Sequence, residues 1–160
     1  MEIIEDVVDV YANGKVIPRN LPERDAAIDP VKWETRYRDQ IGAQLPVVAT
    51  RWIYRGKSYD NTHCPDPLPD MSGLVYVTPG WKQWVVVNPD GSTRVVIGVP
   101  HVREHSNPAE GDLGNPLHSK GAPPYVMYGE GSDGYQEDCR FFFDMRTGEL
   151  LRTEFMSRHW

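Results

Sequence analysis

Two imidazoles and a carboxylate stand within five residues at His101-Val102-Arg103-Glu104-His105. On a helix, that spacing puts both histidines on one face, where they can hold a zinc ion while the glutamate polarises a water. The flanks oppose a helix. Pro100 precedes the run, Asn107-Pro108 follows it, and the residues before it are β-branched. In an extended chain His101 and His105 would share a face about 13 Å apart, too far for one zinc. With His118 as a further candidate, this cluster defines the enzymatic reading of the chain. That reading is a small metal-dependent hydrolase or nucleic-acid-modifying enzyme, and it needs these groups to converge in one cleft.

The five residues satisfy H-x-x-E-H, the pattern of inverted zinc peptidases, without the helical context that gives the pattern its chemistry. A wider metal set would add His63, Cys64 and Cys139, but no C-x-x-C spacing groups them. Tyr54-Arg55-Gly56 resembles the arginine-bearing strand of R-S-E ADP-ribosyltransferases over three residues. The Ser-Thr-Ser strand and the Glu-x-Glu loop of that family are missing, so no NAD site is carried over. Gly129 to Gly134 is rich in glycine, yet Glu130 and Asp133 would repel phosphate. No P-loop, G-x-S-x-G or G-x-G-x-x-G is present, and the expectation is a chain with no catalytic set, no metal and no cofactor.

Side chains that could bind a partner are easier to place. Trp81 follows Thr78-Pro79-Gly80 at a turn, where a large ring has little reason to be buried in its own domain. Leu113, Leu117 and Tyr125 lie in or beside a long stretch, His101 to Pro124, punctuated by Pro, Gly, Asn and Ser. That stretch and Lys57 to Ser72 are expected to be irregular loops, too poor in apolar residues to bury themselves. Trp81, Leu113, Leu117 and Tyr125 are therefore the expected partner-binding residues.

The elements that must carry these loops are mostly strands. Trp84 to Val87 and Val95 to Val99 flank Asn88-Pro89-Asp90-Gly91, which suits a type I turn, and both runs are apolar enough to be covered on two faces. Asn13-Gly14 reads as a type I′ turn between Ile3–Tyr11 and Lys15–Ile17, with Pro18 ending the pair. Pro46 to Tyr54 and Tyr125 to Tyr128 are further strands. A last hairpin joins Cys139–Phe143 to Glu149–Met156 through Asp144 to Gly148. Asp29, Pro30 and Gly42 bracket one amphipathic helix over 30–41, with Trp33, Tyr37 and Ile41 on its apolar stripe. The expected architecture is one α+β domain over 1–160, mainly antiparallel β. It has about seven strands in hairpins, one helix and long irregular loops.

Composition limits the partners. The formal charge of −6 opposes a grip on nucleic acid or an anionic membrane, and suits a basic protein. The longest apolar runs are far shorter than a membrane span, and the acidic start lacks the basic n-region of a signal peptide. A cytoplasmic protein with Cys64 and Cys139 as reduced thiols is expected, or one assembled into a particle. The reading that results is a non-catalytic protein–protein interaction protein. Its partner would be a basic toxin held by an immunity-type inhibitor, or neighbouring subunits of a phage-like assembly.

Overall fold

The computed structural model describes residues 2–19, 46–135 and 138–156. Among them are eleven strands in three antiparallel sheets, and the only helical elements are two short 3-10 turns at Pro79–Trp81 and Pro108–Glu110. The α+β expectation is therefore corrected to an antiparallel, strand-rich fold with long loops. The helix expected at 30–41 lies outside the described residues. No described helix is long and apolar enough to cross a membrane.

The chain divides into two compact units, Ile4–Pro65 and Asp66–Trp160, the latter including Met1–Ile3. The first unit holds β1 (Glu5–Tyr11), β2 (Val16–Pro18), β3 (Val47–Tyr54) and β4 (Lys57–Asn61) in the order β2-β1-β3-β4. Its Asn13-Gly14 turn differs from the expected one. Gly14 has φ +84° while Asn13 stays at negative φ, and the Gly14 N–H donates to Tyr11 O at 2.9 Å. That is the pattern of a type I turn with a left-handed glycine bulge. Pro18 ends β2 as expected, as its last residue and opposite Val8, a place an edge strand tolerates because no outward donor is needed there.

The two-residue turn with both φ positive occurs instead at Arg55-Gly56, between Tyr54 and its partner Lys57. It makes β4 out of residues expected to be loop. Trp52, fully buried, stacks on Tyr59 across that pairing with ring centroids 6.0 Å apart.

The second unit contains two sheets. Strands β5 (Asp66–Pro67), β6 (Leu74–Val77), β7 (Gln83–Val87) and β8 (Thr93–Gly98) form a meander. Strands β9 (Val126–Gly131), β10 (Cys139–Asp144) and β11 (Leu150–Phe155) form the other, in the order β11-β10-β9. Trp84, Val86 and Ile97 from the first sheet meet Met127, Phe141 and Phe143 from the second in one core. Trp84 and Phe143 touch edge to face at 5.4 Å. Val85 and Val87, on the opposite face of β7, are buried as well, as the unbroken apolar run requires. Strand β8, however, is the edge of its sheet and exposes Val96, so the second run is not covered on both faces as expected.

Both expected type I turns form here. The Gly91 N–H donates to Asn88 O and the Thr147 N–H to Asp144 O, with Gly148 adding a second bond to that carbonyl. Each glycine has positive φ, and a bulge follows in each ladder. Arg94 ties three loops of this unit together. It donates to Asn88 Oδ1 at 2.8 Å, to Met145 O at 3.2 Å and to Ser72 O. Burial pulls its guanidinium below the usual arginine range, opposed by the nearby Asp70 charge.

Candidate functional site

The H-x-x-E-H residues do not form a helix. They lie in a turn that the two middle residues and Ser106 fasten to the fold. Ser106, buried, donates its hydroxyl to Arg103 O at 2.7 Å and accepts from the Val102 N–H at 3.3 Å. Arg103 then reaches Asp133, a fully buried carboxylate, with Nε at 2.6 Å from Oδ2. That hydrogen bond raises the arginine above its ordinary range. Its guanidinium lies over the rings of Tyr135, at 5.1 Å, and Phe155, at 4.4 Å.

The strongest polar contact of the motif is thus made by its arginine, which the zinc pattern ignores. His101, Glu104 and His105 are exposed on this turn, and the His105 ring packs against Tyr135 at 5.5 Å. His118 is also exposed, with Nε2 3.2 Å from Pro123 O. Among the described residues no three His, Cys, Asp or Glu side chains come together as metal ligands. Burial pushes the Cys139 thiol up from its ordinary value.

The four residues expected to contact a partner are separated by the fold. Leu113 is completely buried in the core of the second unit. Tyr125 is half-buried beneath Arg146, whose guanidinium stands 3.6 Å above its ring while forking onto Asp144. Trp81 and Leu117 are 52% and 41% exposed. Trp81 donates its indole N–H to Asn115 Oδ1 at 3.2 Å, two residues before Leu117. Leu117 forms a two-way bridge with Tyr128 on β9, both hydrogen bonds at 2.8 Å.

The stretch expected to be a loop in need of a partner is thus laid along β9. Asp112 bridges Ser132 at one end and Leu117 bridges Tyr128 at the other. Gly129 permits the approach, since a Cβ there would run into Leu113 O and the Trp84 ring. The sequence signal for this was the glycine spacing at Gly129 and Gly131 inside a strand.

Tyr128 continues the surface across the sheet, in a network that sequence reasoning missed. It stacks on Phe142 at 5.3 Å, and Arg152 lies over Phe142 at 4.1 Å. Arg140 pairs with Glu130 at 3.2 Å and with Glu154 at 3.8 Å. The cross-strand register sets these neighbours, and no spacing along the chain predicts them.

Trp81 itself is held in an unusual backbone. The turn carries two successive residues at positive φ, Gly80 at +77° and Trp81 at +55°. A bulky side chain in that region is strained. The Trp81 N–H donates to Thr78 O at 3.1 Å, Thr78 pairs with Gln83, and Trp81 O accepts from the Leu113 N–H at 2.8 Å. The conformation is therefore imposed from both sides of the turn.

An antiparallel β protein that carries an exposed tryptophan on a turn braced by loop hydrogen bonds is the class this geometry defines. No family model and no curated protein matches the chain. Among solved structures, the fold is similar to a chain from the structure of Tne2 in complex with Tni2. The TM-score is 0.64 at 16% identity, over 97% of this chain and 100% of that one. A likeness at that identity is one of fold.

Proposed function

We propose that the chain is a non-catalytic protein-binding protein, an inhibitor of the immunity type that covers a basic protein partner. The observation that carries this reading is Trp81, a large ring held in solvent at the expense of a strained backbone. Leu117, also exposed, and the half-buried Tyr128 that it bridges add apolar surface in the same unit, with arginines and glutamates interspersed. Aromatic and arginine side chains are the groups enriched in interface hot spots. The charge of −6 supports a basic partner, and the fold likeness to a chain solved in a two-protein complex agrees with a binding role.

The test is light scattering and calorimetry on the purified chain, alone and with the basic product of a neighbouring gene. A soluble 1:1 complex is the expected result. Self-assembly into a ring, tube or lattice would replace the inhibitor by a structural subunit. Stoichiometric zinc, with an activity lost in a His101→Ala/His105→Ala double variant, would replace both by an enzyme.

A further inference from the structure

Several aromatic rings of the second unit that lie outside its core cluster are covered by the unit's own cations. Tyr135 and Phe155 share Arg103, Tyr125 lies under Arg146, and Phe142 lies under Arg152. Trp81 departs from the pattern. Among the described residues no cation stands over its ring and no other ring packs on it, although indole binds cations best of the three aromatic types.

The neighbouring lysine is not available to fill the place. Lys82 directs Nζ to Ala109 O at 3.0 Å and to Gly111 O. Those carbonyls alternate along the chain with Glu110 and Asp112, so the segment beside the turn is acidic. The indole N–H is engaged by Asn115, which fixes the ring by its edge, while the residue as a whole stays 52% exposed.

We infer that Trp81 is a preorganised receptor for an arginine or lysine of a basic protein partner, and that Asn115 is its positioning residue. The cation stacks on the indole face, where the acidic segment at Glu110 and Asp112 adds attraction and the overall charge steers the approach. Because Asn115 holds the ring beforehand, little side-chain freedom is lost on binding. This inference deepens the protein-binding reading and rests on it.

The probe is a short Gly-Arg repeat peptide at low salt, with its citrulline counterpart as a neutral control of the same shape. The readout is the Trp81 indole N–H signal in a nitrogen–proton NMR spectrum, assigned by its loss in Trp81→Phe. The arginine peptide is expected to shift this signal to saturation. Affinity should fall about fivefold for the citrulline peptide and about fivefold in Trp81→Leu, the span expected of one cation–π contact. Asn115→Ala should weaken binding while leaving the melting temperature in place.

Trp81→Gly should melt no lower than the wild type, since glycine relieves the positive φ and the ring does no packing for the core. An unmoved indole signal would overturn the inference. So would equal binding of the two peptides, wild-type affinity in Trp81→Leu, or a clear fall in the Trp81→Gly melting temperature. If the 1:1 complex with a basic protein forms and Trp81→Leu leaves it unchanged, the inference falls and the protein-binding reading stands. If the indole responds to arginine but no protein complex forms, the reading falls and the cation site stands.

Discussion

At Gly148 two demands meet on one backbone position. Its φ is +79°, and a Cβ built there would stand 2.7 Å from Val95 Cγ2. At Gly91 the conformational demand is the same, with φ +86°. Gly91→Val should therefore cost about 1–2 kcal/mol for the left-handed conformation. Gly148→Val should cost more, because β8 must also give way. Denaturant midpoints of the two variants test the order, and an unchanged midpoint for both would sink the turn assignments.

A second residue-scale prediction concerns acid. The Arg146 side chain, donating to Asp144, holds the Asp144 carboxyl below its usual value of 3.8 against the opposing effect of burial. A carboxyl lowered in the folded state adds stability above its unfolded pKa and loses it as pH falls through the folded value. Asp144→Asn should thus be less stable than wild type near neutrality. The gap should narrow as pH drops below about 3.8. Urea midpoints at the two ends of that range measure it, and a gap independent of pH would refute the argument.

At the scale of elements, the segment from Asp112 to Leu117 behaves as an irregular extra strand on β9. Its amides at Asp112, Leu113 and Leu117 are all donors to backbone carbonyls. Hydrogen exchange in the free protein should find these three protected, while exposed Lys120 and Gly121 exchange quickly. This replaces the expectation that the whole stretch needs a partner to become ordered. Two leucines separate its roles. Leu113→Ala should cost about 2–5 kcal/mol, as a large-to-small change in a closed core. Leu117→Ala should leave stability within about 0.5 kcal/mol of wild type, as is usual for a surface position. Similar melting losses for both would show that Leu117 also belongs to the core.

For the whole molecule, a charge of −6 makes association with a basic protein a matter of steering. Screening shortens that field to about 10 Å at 0.1 M salt. The association rate with a basic partner should therefore fall steeply as salt rises, while the dissociation rate changes little. Stopped-flow mixing across a salt series would show it. A rate flat in salt would mean that the partner does not read the charge.

The hairpins over Trp84–Val99 and Cys139–Met156 were legible in the chain because a type I turn with its glycine is a local matter. Asn88-Pro89-Asp90-Gly91 and Asp144–Gly148 close through hydrogen bonds between near neighbours. The exposure of Trp81 was legible for the same reason, from the turn it sits in. The β3–β4 hairpin was not, since Arg55-Gly56 lacks the usual turn dipeptide and β4 pairs through a polar strand. The fate of Leu113 and Leu117 was decided in three dimensions. Two leucines four residues apart in one loop look alike until β9 takes the first inward and leaves the second outside. The arginine of the histidine motif tells the same story. Nothing at Arg103 in the chain points to Asp133, thirty residues on, yet that buried carboxylate sets the turn and with it the exposure of both histidines. Local backbone preference is written in neighbouring residues, whereas burial and ion pairing depend on which distant segment arrives alongside.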